Sequence, residues 1–169
     1  NDWVGRRQEI TRMYLRMLRE ARESVVIMTP YFMPGYEFKR SLKAAARRGT
    51  KVQMILTENS DIPIAKYAER YMYHWLFENK IEIWEYRKNV LHGKIASIDG
   101  KSATVGSYNV NNLSAYASIE LNLEVIDQNL AGEIQKKLRQ IIRDDCVQIT
   151  PEVFKKRTHF FNKIGQALA

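Results

Sequence analysis

The alternation of short and long apolar patterns constrains the fold of this chain more than any other feature. Runs of strand length occur at 25–28, 52–56 and 81–86, and segments with apolar residues every three or four positions lie between them. Strands that alternate with helices are typical of a layered α/β domain, in which helices cover the sheet. At 169 residues, the chain has the length of one such domain.

Two further strand-like runs, at 94–98 and 102–105, flank the dipeptide Asp99-Gly100. Asp-Gly between two apolar runs is a strong hairpin signal, so an antiparallel pair is expected beside the strands that alternate with helices. A last strand-like run at 120–126 precedes a long helical pattern. We therefore predict an α/β fold with a mixed β-sheet flanked by helices.

One helix of this pattern is rich in aromatic residues. It begins near Pro63 and ends near Asn79, because proline is favoured in the first helical turn and asparagine near helix ends. Its apolar residues fall at helical spacing, which predicts that they face the core. These residues are Ile64, Tyr67, Ala68, Tyr71 and Trp75.

The charge of the chain favours anionic partners. Lysine and arginine number 27 against 19 acidic residues, for a net charge of +8. Such an excess attracts phosphate esters, nucleic acid or an acidic lipid surface, and by itself does not choose among them. The single cysteine, Cys146, excludes an internal disulfide and a cysteine-rich zinc site. We expect it to be a buried thiol near a helix end.

The hairpin brings together side chains that suit phosphate chemistry. His92 and Lys94 are two residues apart, so in a strand they share a face and lie about 7 Å apart. A two-residue turn at Asp99-Gly100 would pair Ile98 with Lys101 and place His92 opposite Ser107, with Asn109 close by. A three-residue turn would shift this register by one position and keep the same neighbourhood.

An imidazole, an ammonium group, a hydroxyl group and an amide together suit a phosphoryl group. Neutral imidazole can attack phosphorus, and Lys94, Ser107 and Asn109 could hold the phosphate oxygens without a metal or other cofactor. The second ring nitrogen of His92 needs an acceptor, for which Glu120 is the candidate. Asp99 either takes part in catalysis or shapes the turn through hydrogen bonds.

The complete run His92-x-Lys94, Asp99, Gly106-Ser107-x-Asn109 resembles the HKD motif of the phospholipase D superfamily. The segment 29–34, with the sequence TPYFMP, is similar to the C-terminal half of the bacterial cardiolipin synthase branch. The stretch 44–56 and the pair Ser60-Asp61 that follows it resemble the same branch. One departure is Leu113, which stands where many relatives have arginine.

This resemblance implies a role for each residue of the motif. His92 would be the nucleophile, or the acid that protonates the leaving group. Lys94 and Asn109 would bind the phosphate, with Ser107 beside them. Glu120 would orient His92, and Asp99 would be the motif's acid in a supporting role. The catalytic residues are thus predicted as His92, Lys94, Asp99 and Glu120.

One motif is half of a site in this superfamily, whose members use two. The other histidines, His74 and His159, have no lysine two residues later and are expected at helix surfaces. The second motif would come from a missing N-terminal half or from a homodimer partner. Because Asn1 is not an initiator methionine, we expect the former, with a bacterial inner-membrane location for the full-length protein and a soluble fragment.

The chain is then predicted to be one phospholipase D-like domain in three parts: a leading helix over 1–22, a catalytic core over 25–127 and C-terminal helices over 128–169.

The motif and the charge of the chain leave three candidate functions. The first is phosphatidyl transfer or phosphodiester hydrolysis on anionic phospholipids through a phosphohistidine, with phosphatidylglycerol as donor and acceptor and a membrane surface as partner. The second is a metal-independent nuclease that acts as a homodimer. The third is a non-catalytic domain that binds anionic lipid or nucleic acid. If the substrate is a lipid, the aromatic-rich region Tyr67–Trp84 could form a wall for acyl chains instead of packing in the core.

Overall fold

Seven strands join in a single mixed sheet in the computed structural model, which describes residues 8–157. The helices are α1 (Glu9–Glu20), α2 (Tyr36–Arg47), α3 (Pro63–Glu78), α4 (Asn112–Tyr116) and α5 (Gln128–Asp145), and residues 151–157 are also helical. The strands are β1 (Ser24–Met28), β2 (Lys51–Thr57), β3 (Glu82–Tyr86), β4 (Ile95–Ile98), β5 (Ser102–Gly106), β6 (Asn122–Val125) and β7 (Cys146–Ile149). The predicted ends of the leading and last helices, and His159, lie outside the described residues.

The strand order across the sheet is β6-β5-β4-β1-β2-β3-β7. β1, β2 and β3 are parallel to one another, because α2 and α3 return the chain to the same starting edge. β4, β5, β6 and β7 each run antiparallel to their neighbours. The predicted α/β fold with a mixed sheet flanked by helices is thereby confirmed.

The core has one apolar layer on each face of the sheet. In β1, Val25 and Ile27 pack with residues of α1, α2 and α3, whereas Val26 and Met28 pack with Leu138 and other residues of α5. All five residues of β1 are buried. A strand covered on both faces has a continuous apolar sequence, and for this reason the run at 25–28 was recognisable.

The hairpin turn has three residues rather than two. Ile98 pairs with Ser102, so Asp99, Gly100 and Lys101 form the loop and the two-residue register is wrong. Asp99 and Gly100, with φ values of 55° and 66°, form a tight turn that the N–H of Lys101 closes by donating to the carbonyl oxygen of Ile98 at 3.0 Å. Lys101 is then an extra residue before pairing resumes at Ser102. The three-residue alternative holds, and the neighbourhood expected at the other end of the hairpin is kept.

Two elements were not predicted, and one is shorter than expected. β7 follows α5 without a turn signal and pairs with β3, and α4 is a single short helix after the hairpin. β6 covers four residues of the predicted run at 120–126. Cys146 directly follows α5 and is half-buried, and burial raises the pKa of its thiol to about 12.

The predicted inward face of α3 is wrong. Ile64, Tyr67 and Tyr71 are 80%, 76% and 83% exposed. Ala68 is exposed as well, and Trp75 is only partly buried against the core. The residues of α3 that are buried instead are Lys66, Glu69, Tyr73 and Leu76.

A buried ionic network explains this orientation of α3. Nζ of Lys66 donates to Glu69 at 2.6 Å and to the Tyr73 hydroxyl at 2.9 Å, and it lies 3.3 Å from Glu85 of β3. Arg157 donates to the other oxygen of Glu85 at 2.6 Å. Two cations face two carboxylates, so the buried charge is balanced. The prediction from periodicity placed apolar residues inside and charged residues at the surface. It therefore chose the wrong face of α3 as the buried one.

The network also reaches the segment 29–34. The N–H of Phe32 donates to Oε2 of Glu69 at 3.2 Å, and Phe32 is fully buried. The ionic cluster therefore holds α3 and this segment in one arrangement.

Within residues 8–157, none of the helices combines the length and the apolar character that crossing a bilayer requires.

Removal of one member of the network should be costly. Lys66→Ala leaves Glu69 and Glu85 buried with too little compensating charge, so we expect a loss of about 3–5 kcal/mol in the free energy of unfolding. The matched control is Lys136→Ala, which breaks an exposed pair with Glu133 and should cost less than about 1 kcal/mol. Urea unfolding at neutral pH measures both, and equal losses would contradict the role of the network.

Candidate active site

The strand directions bring five of the six predicted site residues to one edge of the sheet. β1, β2 and β5 end at this edge, and β4 and β6 begin at it, because β4 and β6 are antiparallel to their neighbours. We call it the site edge. His92 and Lys94 precede β4, Ser107 and Asn109 follow β5, and Glu120 precedes β6.

His92 and Lys94 differ in exposure although they are two residues apart. His92 is exposed, whereas Lys94 is buried and 7% accessible. Nζ of Lys94 donates to the carbonyl oxygen of His92 at 2.8 Å. The ammonium group therefore helps to fix the backbone that carries the imidazole.

Burial makes the charged form of Lys94 less favourable. Burial lowers the pKa of Lys94, and the negative charges of Glu120 and Asp61 oppose this effect only in part. A phosphate anion bound at this place would stabilise the charged form further. The environment of Lys94 thus favours an anionic ligand.

Ser107 and Glu120 bind each other. The Ser107 hydroxyl donates to the Glu120 carboxylate, and the N–H of Leu121 donates to Oγ of Ser107 at 3.0 Å. The backbones approach closely here, because a Cβ at Gly106 would lie 2.2 Å from the carbonyl oxygen of Leu121. Glycine at position 106 is therefore required for this contact between β5 and the start of β6.

Asn109 lies in a loop held from several directions. Its N–H donates to Oγ of Ser114 at 3.3 Å, beside α4, and Val110 is hydrogen-bonded to Thr29 and Met33 of the segment 29–34. Oδ1 of Asn109 is one of two side-chain atoms within residues 8–157 that are buried without a hydrogen-bond partner. An unsatisfied polar atom at a candidate site is a feature that a ligand could explain.

The structure adds two residues to this group, Tyr31 and Asp61. The Tyr31 hydroxyl donates to the Asp61 carboxylate. This hydrogen bond lowers the pKa of Asp61, as does the neighbouring charge of His92 to a smaller extent. Burial and the bond to Asp61 raise the pKa of Tyr31 to about 12. An ionised carboxylate therefore belongs to the surroundings of the imidazole.

Sequence reasoning did not assign either residue to the site. Asp61 was noted only as part of the resemblance, and Tyr31 as part of the segment 29–34. The available signal was topological, since β1 and β2 are adjacent parallel strands and both residues follow a strand end.

Asp99 lies at the opposite end of the hairpin. Five residues of extended chain separate it from Lys94, about 16 Å. Its carboxylate accepts hydrogen bonds from the backbone N–H groups of Arg22, Glu23 and Ser24 at 2.8 to 2.9 Å. Although burial raises the pKa of Asp99, these bonds outweigh it and the pKa is lowered. The hydrogen bonds match the turn-shaping role considered above, and Asp99 is not among the residues gathered at the site edge.

The other histidine within residues 8–157 is His74, which is exposed on α3 with its ring against Phe154 at 5.3 Å between centroids. It lies at a helix surface, as predicted.

The fold has counterparts among solved structures. Nuc from Salmonella typhimurium, a phospholipase D family member, has a TM-score of 0.68 at 19% identity, covering 82% of this chain and 90% of Nuc. NucT from Helicobacter pylori also has a TM-score of 0.68, at 22% identity, covering 83% of this chain and 91% of NucT. The fold is therefore the phospholipase D-like α/β fold.

Sequence comparison narrows this class. The family described as cardiolipin synthase, PLD-like domain, matches residues 14–142, and the chain belongs to that family. Cardiolipin synthase B of Escherichia coli is 40% identical over 152 residues, which are 90% of this chain and 37% of that relative. The chain thus spans little more than a third of the length of such curated relatives.

The first prediction from the site concerns Asp99. Asp99→Ala removes three hydrogen bonds and should lower the free energy of unfolding at neutral pH by about 1–3 kcal/mol. Asp99→Asn keeps one acceptor oxygen and tolerates the positive φ of 55° at this position, so its loss should be smaller. Because the folded-state pKa is lowered, the advantage of aspartate over asparagine is present above the ordinary pKa and is lost as pH falls through the folded-state value. Unfolding curves measured over pH test this. Loss of turnover in folded Asp99→Asn protein would instead restore a catalytic role.

The hydroxyl group of Tyr31 should control the pH at which Asp61 takes up its proton. Tyr31→Phe removes the hydrogen bond that lowers the pKa of Asp61, so Asp61 should take up its proton at a higher pH. If the ionised carboxylate supports His92, the acidic limb of the rate profile moves to higher pH. Hydrolysis of a chromogenic phosphodiester between about pH 4 and pH 8 measures this limb. The control is Tyr36→Phe, at a tyrosine that is 76% exposed on α2. The same limb in both variants would exclude such a role for Asp61.

Proposed function

We propose that this chain is the C-terminal catalytic half of a phosphatidyltransferase that acts on anionic phospholipids, with residues 25–127 as its catalytic core. The observation that carries the proposal is the exposed His92 at the site edge, whose backbone carbonyl oxygen is held by the buried ammonium group of Lys94. Membership of the cardiolipin synthase, PLD-like domain family supports a phospholipid substrate.

The reaction has two displacements at phosphorus. A ring nitrogen of His92 attacks the phosphorus of a phosphatidylglycerol-type donor, an N–P bond forms, and the P–O bond to the glycerol headgroup breaks. The leaving oxygen takes a proton from a general acid. The hydroxyl oxygen of an acceptor alcohol then attacks, its proton passes to the same group, and the N–P bond breaks. Phosphatidylglycerol can serve as this acceptor, and water as acceptor would give hydrolysis.

The neighbouring side chains suit the charge that develops in these steps. Lys94 supplies positive charge to the non-bridging oxygens, and the side-chain amide N–H group of Asn109 can donate to them. Ser107 is bonded to Glu120 and would act beside the phosphate together with that carboxylate. Glu120 remains the proposed group that orients the imidazole, now with Asp61 as a second negative charge near it.

The general acid would come from a second HKD half. The span of the chain, 37% of the relative from Escherichia coli, leaves room for such a half within one polypeptide. A homodimer could supply it as well. A partner surface close to Glu120 is supported by three exposed apolar residues, Val105, Leu121 and Leu123. In the full-length protein, we propose association with the bacterial inner membrane.

Substitution of His92 tests the function. In the full-length protein, His92→Ala should reduce transfer of radiolabelled phosphatidyl groups by about 10³-fold or more. The matched control, His74→Ala, should leave transfer unchanged, since His74 is exposed on α3 and its ring packs against Phe154. An acid-labile, alkali-stable label on the quenched protein should be lost in His92→Ala.

The outcomes separate the alternatives. Label retained without transfer would make His92 the acid rather than the nucleophile. Cleavage of DNA by a stable dimer without lipid turnover would favour the nuclease, and unchanged lipid turnover in His92→Ala would end the proposal.

A further inference from the structure

Helix α3 has an inverted distribution of polarity. Its buried face carries the ionic network of Lys66 and Glu69, whereas its outer face carries Ile64, Tyr67 and Tyr71, each at least 76% exposed. These three residues follow the spacing i, i+3, i+7 and form one strip, which we call the α3 strip. Surface helices of globular proteins show the opposite arrangement, so the outer face is suited to an apolar environment.

The α3 strip begins at the entrance of the candidate site. Asp61 is two residues before Pro63, the first residue of α3, and Ile62 between them is 46% exposed. The strip extends from Ile64 to Tyr71, about 10 Å along the helix axis. It therefore starts at the site edge and runs away from it over the outside of the sheet.

We propose that the α3 strip inserts into the interfacial layer of a phospholipid bilayer and seats the site edge at the level of the lipid phosphates. This inference rests on the proposed function. A phosphate at His92 that belongs to a membrane lipid has its acyl chains in the bilayer, within one lipid length of the imidazole. An apolar surface that adjoins the entrance must then meet the boundary between headgroups and acyl chains.

The residue types of the strip fit this layer. Tyrosine is enriched at membrane interfaces, because its ring is apolar and its hydroxyl group can reach water. The net charge of +8 adds attraction to an anionic lipid surface.

A second protein domain fits the α3 strip less well. Its three side chains offer roughly 450 Å², below the about 800 Å² that each partner buries in a stable protein interface. Two of the exposed residues proposed above for a partner, Val105 and Leu123, lie on the other face of the sheet. Val105 and Leu123 are in register with Ile95, which packs against the α5 layer. Protein and lipid can therefore occupy separate surfaces.

A fluorophore that responds to polarity tests the proposal directly. In the full-length protein with other cysteines replaced by serine, a nitrobenzoxadiazole label is attached at Tyr71→Cys. The matched control is Ile126→Cys, which is 79% exposed in the wild type and follows β6 at the edge opposite the site. Vesicles of phosphatidylethanolamine and phosphatidylglycerol should shift the emission to the blue at position 71 and leave it unchanged at position 126.

Two results would overturn the proposal. If the emission of the label at position 71 does not change when vesicles are added, the α3 strip does not enter the bilayer. Blue-shifted emission before vesicles are added means that a protein segment already covers the strip. Neither reading depends on catalysis, so the label can also be placed in His92→Ala protein.

Kinetics give an independent measurement. The triple variant Ile64→Ser/Tyr67→Ser/Tyr71→Ser should lose about tenfold or more in activity on vesicle lipid. Its activity on a short-chain phosphatidylglycerol below the micelle concentration should be retained. Equal losses on both substrates would contradict a membrane role. Wild-type protein that turns over neither substrate would refute the proposed function and leave the fluorescence result to decide the surface.

Discussion

The antiparallel pairing of β4 with β1 is the constraint on which the site depends. Met28, at the end of β1, pairs with Ile95, at the start of β4. Had β4 joined the sheet in parallel, His92 and Lys94 would lie at the opposite edge. Because it is antiparallel, the residues before β4 meet the loops that follow β1 and β2, and the next turn of the hairpin returns Ser107 to the same place. One choice of strand direction thus assembles groups that are up to 89 positions apart in the chain, from Tyr31 to Glu120.

The buried ionic network gives this edge its rigidity and its surroundings. Lys66, Glu69 and Glu85 are nearly inaccessible, and their mutual bonds favour one rotation of α3. The same carboxylate that binds Lys66 receives the N–H of Phe32, next to Tyr31. Because the charged face of α3 is turned into the protein, its apolar face is turned outward. Both faces are adjacent to the candidate site. A helix with an apolar inner face would have hidden the tyrosines and left the segment 29–34 without this anchor.

Much of the candidate site was predictable from local spacing. The strands at 25–28, 52–56 and 81–86 carried their own apolar signal, and the hairpin grouped His92, Lys94, Ser107 and Asn109 within one short stretch. The turn length was less predictable, because Asp-Gly indicates a tight turn but not the extra residue Lys101 that follows it. Tyr31 and Asp61 were missed because a hydrogen bond between two loops has no periodic pattern. The orientation of α3 was mispredicted because polarity scales assume that charges face water.

Patterns between near neighbours were enough to establish the α/β class, the hairpin and the motif around His92, because burial on a sheet and turn formation depend on residues a few positions apart. Only the tertiary structure decided which edge gathers the candidate site residues, which residues surround the imidazole and which face of α3 meets the solvent. These features depend on strand direction and on the balance of buried charges. Both are set by contacts between distant segments, whose energies no local pattern contains.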